Sequence, residues 1–221
     1  MAVERIIFIR PGETDWNKLE RWQGWVATPL NEHGRQQSEA LARFLRSIGM
    51  TALYTSDLKR ALQTAEILQR ASSFELIPDE RLRERNIGLW QGLTLDEMRK
   101  WYAEEYAAML KDADTYRVPG GESREDVRVR MTAAFDDVLA QAKGETVGML
   151  THTTALKVLM EDLFPGYNPL TVDLGNTSVT TLRRKDDGWK LVAVDDCLHL
   201  EGLRTSAVTE LEAKQHDPRD R

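Results

Sequence analysis

The chain has 221 residues, 41% of them hydrophobic, which is enough for one sizeable core. A net charge of −6 excludes a general attraction to nucleic acid or acidic membranes, so an anionic ligand needs a local cluster of arginines. The single Cys197 excludes an intrachain disulfide and fits a reducing compartment, and no stretch approaches the roughly 18 apolar residues of a spanning helix; a cytoplasmic protein without a signal-type leader is expected.

The first element is a continuous apolar run over residues 6–9, which suits a strand buried on both faces of a parallel sheet. It runs into Arg10-Pro11-Gly12-Glu13-Thr14, which by itself is an ordinary Pro-Gly turn. Leu41, Phe44, Leu45 and Ile48 recur at helical spacing. Residues 53–55 and 74–77 are weaker strand candidates, and between them Ser56-Asp57 offers a cap for a helix through Ala61, Thr64, Ala65 and Leu68. Arg60 falls in the first turn of that helix, either as a solvated charge or aimed with free backbone amides at an anion. Glu84 sits in a charge-dense segment, 82–92, that also reads as an exposed ion-pair network.

Residues 94–121 are helix-rich and end in the turn-prone Val118-Pro119-Gly120-Gly121, an insertion expected to lie over the sheet edge like a lid. Val127, Met131, Phe135 and Val138 mark another helix, and residues 147–150 a second buried strand, followed by Thr151 and His152. Residues 177–183 and 189–194 read as a hairpin around Lys185-Asp-Asp-Gly188. The expected organisation is a single α/β domain over 1–204, with a polar, flexible tail over 205–221.

Ligands of an open parallel sheet bind beyond the carboxyl ends of its strands. If the strands at 6–9 and 147–150 are neighbours, Pro11 and His152 face one another across one pocket. His152 on pattern alone reads more readily as a satisfied structural histidine than as a catalyst. No spacing matches a metal site, and neither a Walker loop nor a Gly-x-Gly-x-x-Gly motif is present, so no metal, nucleotide or other cofactor is expected. Trp16, Trp22, Trp25, Trp90 and Trp101 fall in or near segments expected to border the pocket, which suits either packing or a ligand with a flat or apolar part.

Several segments, in order, resemble the histidine phosphatase superfamily, the family of the cofactor-dependent phosphoglycerate mutases. They are Arg10-Pro11-Gly12-Glu13-Thr14, Trp22-Gln23-Gly24 with Thr28-Pro29-Leu30, Ser56 through Ala65, Leu82-Arg83-Glu84 with Gly88, Trp90 and Gly92, Pro119 through Ser123, Thr151-His152, and Asn176-Thr177-Ser178. The resemblance implies a three-layer α/β/α fold, with a mostly parallel central sheet flanked by helices and a helical lid-like insertion. It also implies a phosphate clamp of Arg10, Arg60 and His152, with oxygen contacts from Asn17, Gln23 and Gly24, and Glu84 as the proton donor to the leaving alkoxide.

Two positions depart from the family pattern. The family carries its phosphorylated histidine where this chain has Pro11, and usually glycine where it has Thr153. The implied function is a phosphomonoester-binding homologue that is inactive or non-classical, because it cannot form a phosphohistidine at position 11. The alternative is an enzyme on a phosphorylated or other anionic small molecule that uses His152 and Glu84, by direct water attack or in an isomerase, lyase or transferase step. Partners are then an anionic small molecule, neither nucleic acid nor membrane, with a homodimer left open.

Overall fold

Ile6, Ile7, Phe8 and Ile9 are all fully buried, as a strand covered on both faces requires. The computed structural model describes residues 2–186 and 188–203. Its elements in chain order are β1 (Arg5–Ile9), the one-turn α1 (Asp15–Lys18), α2 (Glu32–Leu45), β2 (Ala52–Thr55), α3 (Lys59–Ala71) and β3 (Glu75–Pro78). These are followed by α4 (Leu95–Trp101), α5 (Ala103–Lys111), α6 (Arg124–Gln141), β4 (Thr146–Leu150), α7 (Thr153–Leu163), β5 (Val179–Lys185) and β6 (Gly188–Asp196).

The six strands form one sheet in the order β3-β2-β4-β1-β5-β6. The first four are mutually parallel, and β5 runs antiparallel to both of its neighbours, β1 and β6. Successive side chains of β1 alternate faces, as the two-residue period demands. Ile6 and Phe8 join a core with Val127, Met131 and Phe135 of α6 and Leu156 and Leu159 of α7. Ile7 and Ile9 join the opposite core, with Leu41 and Leu45 of α2 and Ala61, Ala65 and Leu68 of α3. The result is the expected three-layer α/β fold, a mixed sheet flanked by helices.

The chain leaves β1 toward α2 on one face and leaves β4 toward α7 on the other, so a crevice opens between the two adjacent strand ends. The turn after β1 is held by close packing at Gly34. A Cβ there would lie 2.1 Å from the Glu13 carbonyl oxygen, so only glycine lets α2 approach. Among the described residues, no helix is long and apolar enough to cross a membrane.

Three local expectations are revised. Phe44 is 40% exposed and Ile48 lies beyond the end of α2, so Leu41 and Leu45 carry its buried face. The helix bearing Arg60 is not capped by Asp57: its N-cap is Leu58, and the Asp57 carboxylate is taken by Arg83, Nε to Oδ1 2.6 Å. Within 94–121, helices α4 and α5 form as expected and build a small core of their own around Trp90, Met98 and Val118. The tail expected over 205–221 lies outside the described residues.

Candidate functional site

Beyond the carboxyl ends of β1 and β4 lies a cavity of about 590 Å³, and every residue nominated from the sequence lines it: Arg10, Pro11, Asn17, Gln23, Gly24, Arg60, Glu84 and His152. Strand pairing explains the first juxtaposition. Ile9 pairs with Leu150, and the Thr151 amide donates to the Ile9 carbonyl at 3.0 Å, so residue 11 and His152 emerge level with one another. At position 11 only backbone polarity remains: the Pro11 carbonyl accepts from the Thr177 amide and from Asn176 Nδ2, both at 3.2 Å.

Arg60 is buried and Arg10 half-buried, and among the described residues both are held by carbonyls and by no carboxylate ion pair. Arg10 donates from a terminal nitrogen to the Leu174 carbonyl. Arg60, only 4% exposed, donates to the Gly24 carbonyl at 3.0 Å and the Val26 carbonyl at 3.2 Å. These two bonds fold the 23–26 loop over the site, and Gly24 itself sits at φ +50, a left-handed conformation suited to glycine. Burial, with Glu84 opposing it and Arg10 nearby, pulls the Arg60 guanidinium down to about 10, so it stays charged at neutral pH. Burial lowers Arg10 as well, against the pull of Glu84 and Asp195. A buried guanidinium whose charge no ion pair neutralises is costly, and an incoming anion relieves that cost.

Glu84 does not belong to an exposed ion-pair network. Its Oε1 accepts from the Arg85 amide at 2.7 Å and its Oε2 from the Thr154 amide at 3.2 Å, tying the carboxylate to the start of α7. Arg130 of α6 fixes the loop that carries it by donating to the carbonyls of Arg81 (2.6 Å), Arg83 (2.7 Å) and Glu84 (3.0 Å). Asn17 closes a capping box with Thr14, whose amide donates to Asn17 Oδ1 at 3.0 Å. Gln23 Oε1 accepts from the Thr28 hydroxyl, and the residue lines the cavity.

His152 is the N-cap residue of α7, and its Nε2 lies 2.9 Å from Ser56 Oγ. Burial first, then the positive charges of Arg60, Arg10 and Arg130, hold its pKa well below the ordinary imidazole value, so the ring is neutral.

Sequence reasoning missed several polar lining residues, Glu20, Arg21, Arg85, Arg124 and Asn176 among them. Asn176 was noted for its segment but not placed in the site; the fold brings its amide to Pro11 and within 3.5 Å of Asn17 Oδ1. Arg85, beside Glu84, is buried and held by the carbonyls of Glu122 (2.8 Å) and Tyr116 (2.9 Å), which charge density alone could not distinguish from a surface arginine. Of the five tryptophans expected near the pocket, Trp16 and Trp22 line it, joined by Ile87, Met109 and Leu170. The other three do not. Trp25 donates to the Glu84 carbonyl from outside, Trp90 is buried in the insertion core, and Trp101 is 58% exposed.

Three comparisons bear on this geometry. The family description "Histidine phosphatase superfamily (branch 1)" matches residues 6–197. Phosphoglycerate mutase-like protein 4 of Arabidopsis thaliana is 36% identical over 200 residues, covering 89% of this chain and 86% of that protein. Among solved structures, YhfR of Bacillus stearothermophilus superposes with a TM-score of 0.80 at 33% identity, covering 89% of this chain and 98% of that one. A mycobacterial glucosyl-3-phosphoglycerate phosphatase, solved with VO3, superposes with a TM-score of 0.75 at 32% identity, covering 87% of this chain and 99% of that one.

Proposed function

The chain belongs to the histidine phosphatase superfamily, and from that premise we propose that its cavity binds the phosphoryl group of a phosphomonoester but does not pass it through a phosphohistidine at position 11. The observation that carries this reading is the company Pro11 keeps: it lines the same cavity as Arg10, Arg60, Glu84 and His152. The clamp's cations are retained, and the position where the family carries its nucleophile offers a pyrrolidine ring.

In this reading Arg10, Arg60 and His152 bind phosphoryl oxygens, with further contacts from Asn17 and the Gln23-Gly24 loop. The two guanidiniums supply positive charge of the kind that stabilises a bound or transferring phosphoryl group. Glu84 faces the alcohol side of the ester. Trp16, Trp22, Ile87 and Met109 form an apolar wall for the remainder of the ligand, which suits an alcohol with a flat or apolar part.

The test is calorimetric titration with vanadate and inorganic phosphate beside turnover assays on alkyl and aryl phosphomonoesters. Saturable anion binding with negligible turnover is the expected result. Efficient turnover that vanishes in His152→Ala would overturn it in favour of an enzyme that uses His152 and Glu84. Tryptophan fluorescence that responds equally to glycerol phosphates and aryl phosphates would remove the apolar-wall part of the reading.

A further inference from the structure

The hydrogen bonds around His152 restrict what that ring can do. Ser56 is fully buried, and its hydroxyl oxygen already accepts the Leu58 amide proton at 3.3 Å. Among the described residues the remaining hydrogen-bond neighbour of the hydroxyl is His152 Nε2 at 2.9 Å. A neutral imidazole carries one proton, on one of two nitrogens.

If Nε2 carried it, Ser56 Oγ would accept two protons, and its own hydroxyl proton would be buried with no acceptor among the described residues. Burying an unpaired donor costs roughly 1–3 kcal/mol. If Ser56 donates to a bare Nε2, every group is paired: Leu58 N–H to Ser56 Oγ, and Ser56 O–H to His152 Nε2. The ring proton then resides on Nδ1. That nitrogen has no protein hydrogen-bond partner among the described residues, on a ring that lines the cavity.

We propose that Ser56 is a positioning residue that holds His152 as the Nδ1–H tautomer, so that His152 acts on a bound phosphoryl group as a neutral hydrogen-bond donor and not as a general base or nucleophile. This rests on the phosphate-binding reading of the cavity and narrows it. A base or nucleophile must offer a lone pair toward the substrate, and the lone pair of this tautomer is occupied by Ser56. The surrounding cations agree with the assignment. A ring beside Arg10, Arg60 and Arg130 gains nothing by taking up a second proton, yet a neutral N–H still serves an anion. The arrangement also leaves the clamp's charge independent of the histidine near neutral pH.

Nitrogen-15 spectra of the wild-type protein test the assignment without any substitution, because the protonated and bare nitrogens of a neutral imidazole resonate far apart; His152→Gln identifies the signals. The expected spectrum at neutral pH shows His152 protonated at Nδ1 and bare at Nε2. An Nε2–H ring, or an imidazolium, would overturn the proposal. In Ser56→Ala the tautomer should shift, and vanadate affinity should fall about tenfold, the worth of one hydrogen bond to a charged group. Ser56→Thr, which restores the hydroxyl, should recover both. Unchanged tautomer and affinity in Ser56→Ala would remove Ser56 from the role. Should the wild type bind no vanadate, the phosphate reading fails, while the spectrum still decides the tautomer.

Discussion

Strands β1 and β4 lie side by side in register, and two residues beyond each the chain presents a ring to the same cavity. At the end of β4 the ring is an imidazole with a specific partner, Ser56, and three arginines around it. At the end of β1 it is proline, whose only polar atom is a carbonyl already holding two donors. In the proposed reading, binding and bond-making therefore fall to separable parts of one cavity. In that reading the Arg10 and Arg60 guanidiniums hold the anion from two separate elements, whereas the family's covalent step would depend on a single side chain at position 11.

The comparison breaks most visibly at its weaker half. Pro11→His should raise phosphatase turnover on the order of 10³-fold or more in steady-state assays, because residues that act as a unit fail together when one is missing. A proline φ is fixed near −65°, within reach of histidine, and the carbonyl anchoring at position 11 does not depend on the side chain. No gain in a folded variant that still binds vanadate would show that the two halves are not separable.

Arg60→Ala attacks the binding half. It removes a charge-assisted contact and releases the Gly24 and Val26 carbonyls, so vanadate affinity should fall by roughly 30- to 150-fold, or about 2–3 kcal/mol, by calorimetry. Retained affinity would place the anion elsewhere.

The buried neutral imidazole also marks stability. The folded-state pKa of His152 lies well below 6.5, so in that window the unfolded chain binds a proton that the native state does not. Stability should be flat for this group above about pH 6.5 and fall on acidification by up to roughly 1.4 kcal/mol per pH unit, a dependence that His152→Gln loses in urea titrations. His199 is shifted in the same direction and keeps its own contribution in that variant.

The smallest effect concerns the wall beside His152. Thr153→Gly exchanges a β-branched residue at the first position of α7, itself a poor helix former, for one about 0.3 kcal/mol less favourable in a helix. Thermal denaturation should register a loss of that order, with vanadate affinity changed less than in Arg60→Ala.

Much of this site was legible before any coordinates, and for a traceable reason. Residues 10 and 11 and residues 151 and 152 follow apolar runs long enough only for buried strands, and ligand crevices open where such strands end. The partners that satisfy those residues were not legible. The Ser56-Asp57 pair looks like a helix cap, yet Asp57 pairs with Arg83 and Ser56 faces His152, 96 positions away. Glu84 reads as one charge among many, until α7 brings the Thr154 amide to it.

Sequence by itself determined the α/β alternation, the family and the absence of a side-chain nucleophile at position 11, since these depend on residue identity and local periodicity. Only the tertiary structure decided that Arg10, Arg60 and Arg85 are held by carbonyls, that two of the tryptophans and not five line the cavity, and that the Nε2 edge of His152 is occupied. Hydrogen-bond partners and burial are set by elements distant in the chain. Their consequences, neutral or charged and donor or acceptor, follow from that packing and from no local pattern.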